Sequence, residues 1–485
     1  MRKARIAVQL TVLACFIALI FINCYPHGFR YPADLFLRLD PYAALATAVA
    51  TRKMLWRLLP ALVVLASALV VGRAFCGWIC PLGTALDGFS TLAGLKVRAR
   101  RAGRLASIRY LILASTLGAS AVGATLVHFF DPLVIAERSG IFILRKVTSA
   151  VVLGLSDLVP SSRALGALAS SAPLEDRFYG LAALFAVLAA ALLLAEAINR
   201  RFWCRYLCPL GALLSLPAGL APLRRLVRGC EDTDRCKSAC VFGAIGDDPR
   251  SVRRGECALC LRCKPACPHA AISFGFGAAA ATERVCLGRR AVAASVVAGA
   301  VYGLLPLAGA LPRSPRRLPL RPPGALPEAE FVVACTRCGA CVGACLTGGL
   351  QPALLEAGVQ GIWTPILVGR LGGCEAECNL CGKVCSTQAI RYFPLAEKKK
   401  LRMGKAVIDR DLCLAWNEER VCYLCDEACP SGAIDFIHEA GSAFAKPIVV
   451  AGKCTGCGLC EWKCPVEQPA IYAIPLGGDQ ASGPA

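Results

Sequence analysis

Thirty cysteines stand in a chain of 485 residues, most of them in runs of the form C-x2-C-x2-C-x3-C. Such a run puts three thiolates on one tight loop and brings a fourth from elsewhere, the way a cubane iron–sulfur cluster is held. Cys335, Cys338, Cys341 and Cys345 form one complete run; Cys454, Cys457, Cys460 and Cys464 form another. Between them lie two stretched runs, Cys374, Cys378, Cys381, Cys385 and Cys413, Cys422, Cys425, Cys429, whose longer first gap changes the loop and not the ligand count. Together they are expected to hold about four [4Fe-4S] clusters. In two-cluster ferredoxins the fourth cysteine serves the neighbouring cluster, so the runs must pair, in an order that spacing leaves open. Zinc ribbons would instead show two distant C-x-x-C pairs.

A fifth complete run, Cys257, Cys260, Cys263 and Cys267, faces a broken partner in which Cys230, Cys236 and Cys240 keep their places and Thr233 stands at the second. If Cys240 completes the Cys257 set, the other site has Cys230, Cys236, Cys267 and a vacancy open to Asp232, Asp234 or Cys286; a three-iron cluster or no cluster are the alternatives. One or two clusters are expected here. A different motif occurs twice, Cys76-x3-Cys80-Pro81 and Cys204-x3-Cys208-Pro209. On a helix, i and i+4 share a face and the proline is expected to end it, presenting two thiols per motif. Either the four thiols jointly hold a metal or a redox disulfide beside a quinone pocket, or they are small residues packing a repeat interface. His128 joins Cys76, Cys80, Cys204 and Cys208 as a catalytic candidate, with Asp40 and Asp131 as further proton acceptors, although Asp-Pro also simply opens a helix. His27, His269 and His438 read as loop residues, and Cys15 and Cys24 as inert. With four histidines and no C-x-x-C-H, no haem is expected.

The elements that must carry these groups are membrane helices and small ferredoxin folds. A mean hydropathy of +0.56, with 56% hydrophobic and 18% charged residues, excludes a disordered tail and an ordinary soluble enzyme. Apolar stretches at 6–23, 58–73, 110–130 and 179–198 approach the about 20 residues that cross a bilayer. Arginines ahead of the first, between the second and third (Lys96 to Arg109) and after the fourth (Arg200-Arg201) place both ends in the cytoplasm. Two copies of one unit emerge, each running from Asp-Pro (Asp40-Pro41, Asp131-Pro132) through a helix to C-x3-C-P-L-G, as parallel repeats. A fifth stretch, 291–311, follows Arg289-Arg290 and leads to a Pro/Arg linker. It would put the remainder outside, whereas Arg313, Arg316, Arg317 and Arg321 favour the cytoplasm; a twin-arginine export signal resolves the conflict. The expected fold is therefore an α-helical membrane protein, a four-helix repeat bundle plus a fifth span, with α+β ferredoxin-like iron–sulfur domains. Its boundaries are 1–212 membrane domain, 213–288 cytoplasmic ferredoxin, 289–311 fifth helix, 312–330 linker, and 331–485 a four-cluster ferredoxin on the periplasmic side. The formal charge of +21 does not imply nucleic acid, because about six cubanes at roughly −2 each remove ~12 charges.

With these residues in place, two resemblances stand out. Residues 1–290 resemble the NapH/MauN membrane polyferredoxins in the paired C-x3-C-P motifs, the Asp-Pro loops and the ferredoxin unit. Residues 289–475 resemble the NapG/MauM periplasmic ferredoxins, through Arg321-Pro322-Pro323-Gly324-Ala325-Leu326-Pro327 leading to Cys335-Thr336-Arg337-Cys338-Gly339. The chain looks like the two partners fused, departing from the family pattern at Thr233, Leu346 and Ser386. The resemblance implies a bacterial inner-membrane protein that takes electrons from the quinol pool and delivers them to a periplasmic c-type cytochrome or reductase. Two other readings stay open: an accessory copper or thiol reductase for maturing a periplasmic metalloenzyme, and a conduit fed by a separate dehydrogenase.

Overall fold

In the N-terminal half, aspartate and proline set where helices begin. The computed structural model describes residues 2–22, 32, 34–95, 104–159, 179–230, 235–253, 255–277, 287–305, 319–439 and 444–476. Cys24, His27, Lys96–Arg101, Asp232, Thr233, Asp234, Cys286, Arg313, Arg316 and Arg317 lie outside that set. Two compact units result, one from the N-terminal helix with Asp34–Gly140 and Leu184–Leu305, the other from the described residues of Ile141–Ala183 and Pro306–Ala485.

In the first unit, α1 (Arg2–Ile22) precedes α2 (Pro41–Thr51), α3 (Pro60–Val71), α4 (Ala74–Trp78) and α5 (Pro81–Leu92). The second copy runs through α6 (Ile108–Ala121), α7 (Pro132–Ser139), α8 (Ala182–Ile198), a π turn at Trp203–Leu207 and α9 (Pro209–Ala218). Asp40 Oδ1 accepts the N–H groups of Tyr42 (2.9 Å) and Ala43 (3.2 Å), and Asp131 Oδ1 those of Leu133 (2.8 Å) and Val134 (3.2 Å). Each carboxylate thus caps its helix, while the following proline occupies a position that has no donor to lose. The same logic corrects the reading of the cysteine motifs. Pro81 and Pro209 open α5 and α9, with Cys80 and Cys208 as their N-caps, so the two cysteines of a motif straddle a break between helices.

The helices are shorter than the apolar stretches containing them. Among the described residues one helix, Lys3–Phe21, is long and apolar enough to cross a membrane. α3 has 12 residues, α6 14 and α8 17. The stretch 110–130 is interrupted after Ala121, where Gly123 (φ +81°) turns the chain before a separate short helix, Val127–Phe130. The ferredoxin part of this unit pairs β1 (Leu223–Val227) antiparallel with β2 (Ile272–Phe276), Leu223 opposite Phe276. After it, α10 (Arg289–Leu304) packs on α6 at backbone distance: a Cβ on Gly299 would collide with Ser115 O, and one on Gly118 with Val296 O. Gly299-x3-Gly303 is the small-residue spacing that lets helices approach this closely.

The second unit contains the helix Arg145–Leu158, α11 (Glu328–Ala334), α12 (Ala340–Ala344) and three antiparallel ribbons. These are β3 (Leu350–Pro352) with β4 (Pro365–Leu367), β5 (Gly404–Ile408) with β8 (Ile471–Pro475), and β6 (Ile434–Ile437) with β7 (Lys446–Val449). Ala406, Ile434, Cys454, Cys460 and Ile471 pack together between ribbons. Arg321, which by sequence argues for a cytoplasmic position, is no surface charge. It is fully buried, chelates Glu328 (2.5 and 2.8 Å), donates to Thr364 Oγ1 (2.9 Å) and Pro365 O (2.7 Å), and lies over the Phe331 ring.

Candidate iron–sulfur centres

The C-terminal thiols gather in foursomes, each taking three from one run and one from its neighbour. Cys335 and Cys341 lie within charge–charge range of Cys385, and Cys374 and Cys381 within that of Cys345. Cys457 has Cys429 beside it; Cys413, Cys422, Cys425 and Cys464 line one apolar cavity with Pro447, Val466 and Ile471. Cys345, Cys374, Cys378 and Cys381 likewise line one cavity. The first run therefore pairs with the second and the third with the fourth, an order spacing had left open. Among the described residues no group of His, Cys, Asp and Glu is arranged to hold a single metal ion. Four-thiol cavities are a suitable donor set for iron–sulfur clusters. Burial pushes the Cys374 and Cys425 thiols up to about 12, so each gives up its proton only to a strong local cation such as bound iron.

Backbone amides point at several sulfurs. Arg337 N–H donates to Cys335 Sγ (3.4 Å), Ala433 N–H to Cys429 Sγ (3.2 Å) and Ala406 N–H to Cys454 Sγ (3.3 Å). The loops that allow this turn at residues of positive φ, among them Gly456 (φ +71°), which sits against the Gly404 backbone where no side chain fits. Leu346 and Ser386 stand where proline is usual, yet both runs keep the swapped fourth cysteine.

In the first unit's ferredoxin part, Cys257 and Cys260 have Cys240 as their neighbour, and Cys236 has Cys230 and Cys267. The Cys257–Cys263 loop packs directly on α4: Trp78 Nε1 donates to Leu259 O (3.0 Å), and a Cβ on Gly77 would stand 2.6 Å from Ala258 O. Beside this junction Glu256 accepts from Arg73 (2.8 Å), Arg109 and the Tyr110 hydroxyl (2.6 Å). Burial alone would raise the Glu256 carboxyl; Arg109 and Arg73 outweigh it and hold it below the usual range. Arg201 is fully buried on Asp87 (2.6 Å). Arg109 and Arg201, read from sequence as orientation markers, are thus internal partners of acids.

Cys76, Cys80, Cys204 and Cys208 are all buried and close enough to influence one another's charge. His128 is buried on the short helix before Asp131, its ring against Phe129 and its carbonyl accepting from Arg138 (3.0 Å). The carboxyls of Asp40 and Asp131 lie within charge–charge range of each other across the repeats, and the Oδ2 atom of each is buried with no hydrogen-bond partner among the described residues. Cys15 is exposed. Sequence reasoning missed Arg73, Arg201, Asp87 and Glu256. Their one legible signal is an arginine three places before the first cysteine of both motifs.

Comparison with known proteins gives this geometry a family. Residues 54–100 and 179–228, each enclosing one C-x3-C-P motif, match a 4Fe-4S binding domain; 374–433 match a 4Fe-4S dicluster domain and 447–469 a 4Fe-4S binding domain. The ferredoxin-type protein NapG of Escherichia coli is 40% identical over 166 residues, 32% of this chain and 71% of that protein. The methylamine utilization ferredoxin-type protein MauM of Methylorubrum extorquens is 38% identical over 171 residues, 33% of this chain and 76% of that protein. The chain belongs to the NapG/MauM ferredoxin-type family. It is an iron–sulfur electron-transfer protein. The putative electron transport protein YccM of Escherichia coli is 27% identical over 227 residues, 45% of this chain and 55% of that protein. No solved structure matches. The 4Fe-4S dicluster domain match, 374–433, runs across the second and third C-terminal runs, whereas the sulfur neighbours pair second with first and third with fourth.

Proposed function

We propose that this protein is a membrane quinol dehydrogenase in which a NapH/MauN-like half is fused to its NapG/MauM-like electron acceptor. The observation that carries the reading is a cleft of about 920 Å³ between α1, α5 and the ferredoxin part of the first unit. Ile6, Leu10, Leu92 and Leu95 give it apolar walls; Gln9, Asp87, Ser90 and Arg262 supply polar groups. An apolar cleft with a few convergent polar groups, of this volume, suits a prenylated ring with two hydroxyls. Gln9 Nε2 also donates to Gly77 O (3.1 Å), next to Cys76, which ties the cleft to the C-x3-C-P turn.

Quinol gives up two electrons and two protons. Bound iron–sulfur clusters supply one-electron transfer, and the chain does the rest: the cleft orients the ring, and buried loops keep water from the sulfurs. Several features support a multi-span domain. α3, α8 and α10 expose Leu62, Val63, Val187, Leu194 and Val297, an apolar surface that a bilayer covers, and α10 joins α6 through glycines. Support for an external C-terminal domain comes from the chain path. Residues 141–183 lie between the third and fourth spans, outside by the arginine distribution, and the described residues of this segment, 141–159 and 179–183, pack within the C-terminal unit. Phe142 sits on Gly339 and Arg145 Nη1 donates to Gly343 O (2.8 Å), at the first cluster loop. The expected acceptor is then a periplasmic c-type cytochrome or reductase. Burial of the four C-x3-C-P thiols disfavours a thiol-exchange role.

The test is anaerobic. Full-length protein in detergent, its clusters first shown reducible by dithionite, is mixed with a reduced quinol and followed by EPR. Cluster signals that a quinone-site inhibitor abolishes are expected; intact clusters that quinol leaves oxidised would overturn the quinol assignment.

A further inference from the structure

The two C-x3-C-P motifs meet in a way that their separate sequences do not announce. Cys76, Cys80, Cys204 and Cys208 are 8%, 6%, 6% and 4% exposed. Two guanidinium groups cross between the repeats to reach them. Arg201 of the second copy lies where a Cβ on Gly83 of the first would be, with Nη1 3.7 Å from Cys204 Sγ and 3.5 Å from Cys76 O. In reciprocal fashion Arg73 of the first copy lies against Gly211 of the second: a Cβ there would stand 2.6 Å from Arg73 Nη2 and 3.5 Å from Cys208 Sγ. The glycine of each C-P-L-G is therefore the cradle for the other repeat's arginine.

The charges do not balance. Arg73, Arg109 and Arg201 are buried to 2% exposure or less, and Arg5 and Arg262 stand beside Asp87; against these five cations the described residues set three acids, Asp87, Glu196 and Glu256. Arg73 Nε and Nη2 are buried without a hydrogen-bond partner among the described residues. Buried cations demand an anion. Four neutral thiols packing an interface supply none, and neither do two disulfides. A cluster held by four thiolates carries roughly −2.

We propose that the two motifs form one site, shared across the repeats, in which Cys76, Cys80, Cys204 and Cys208 together hold a single iron–sulfur cluster and Arg73 and Arg201 are its counterions. The site adjoins the Cys257–Cys263 loop through the Gly77–Ala258 contact, so it lies next to the cytoplasmic ferredoxin part. The proposal rests on the iron–sulfur electron-transfer reading and is independent of whether quinol is the donor.

Iron and acid-labile sulfide are counted on the anaerobically purified full chain and on three variants: C76S/C80S, C204S/C208S and the quadruple replacement. A shared cluster predicts the same loss of iron and of sulfide in all three, with the remaining clusters intact by EPR. Losses that add in the quadruple variant would mean two separate sites, no loss would mean packing thiols, and zinc without sulfide would mean a mononuclear site; each overturns the proposal. R73Q and R201Q keep every thiol and guard against misfolding. They should retain the iron and lower the midpoint potential of one redox component, partly restored in R73K. Unchanged potentials throughout would overturn the counterion assignment. Absence of iron from the whole wild-type chain would instead sink the electron-transfer reading itself.

Discussion

Hydroxyl groups stand two residues after the fourth cysteine in three of the C-terminal runs, and their protons have different destinations. Thr387 Oγ1 lies 3.8 Å from Cys385 Sγ and Ser431 Oγ 3.5 Å from Cys429 Sγ, whereas Thr347, at 3.6 Å from Cys345 Sγ, gives its proton to Gly373 O (2.6 Å). A hydrogen bond to sulfur favours the more negative, reduced cluster and so raises its potential. T387A and S431A should each lower the midpoint of one cluster in an EPR-monitored redox titration with iron content unchanged, and T347A should do so less. The Asp40–Asp131 pair offers a second test at this scale. D131N keeps the helix cap and lets the amide donate to Asp40, so stability should hardly change. D131A removes the cap and leaves a buried carboxyl unpaired, a loss of about 1–3 kcal/mol in thermal unfolding followed by circular dichroism. The grouping of the cysteine runs and the Asp-Pro helix starts could be read from spacing, because local geometry dictates them; Cys240 beside the Cys257 run was one of the alternatives that spacing left open, and its sulfur neighbours favour it. The crossing of Arg73 and Arg201 could not, because each guanidinium answers to a glycine more than a hundred residues away.

Elements show where pattern and packing part company. The Gly299-x3-Gly303 spacing already marks α10 as a close-packing helix, but its partner α6 emerges only in the fold. Even one methyl is too much there: G299A should cost about 1–3 kcal/mol by overpacking, measured by thermal unfolding in detergent. Gly88, on α5, has nothing within 4 Å of its would-be Cβ, so G88A should be neutral or slightly stabilising through helix propensity. An equal loss in both variants would mean that α6 and α10 do not pack through these glycines. The lengths of α3 and α6 were misjudged from hydropathy for a related reason. An apolar run reports burial in protein or lipid alike, and Gly72 and Gly123, both at positive φ, end these helices regardless of how apolar their surroundings are.

At the scale of the molecule, sidedness decides what the electron path can be. Hydropathy and arginine counts pull in opposite directions after the fifth stretch. One of the four arginines behind the conflict, Arg321, is committed to Glu328 inside the C-terminal unit and is silent about orientation. The segment 141–183 speaks more directly: Ile141, Phe142 and Tyr179 are buried in that unit, Phe142 and Tyr179 meet edge to face at 5.1 Å, and Gly180 N–H donates to Gln351 (3.1 Å). On the proposed spanning topology, chain continuity puts the C-terminal domain on the side where this segment emerges. An alkaline phosphatase reporter fused after Pro327 is expected to be active, as is one inserted at 160–178, while one at 96–103 is expected to be silent. Activity at 160–178 without activity after Pro327 would break the link between the segment and the domain, and with it the external route. If both are active, electrons entering beside the first unit's ferredoxin part must traverse a bilayer core of about 30 Å, and the buried C-x3-C-P thiols become the relay position that this chain's own residues provide.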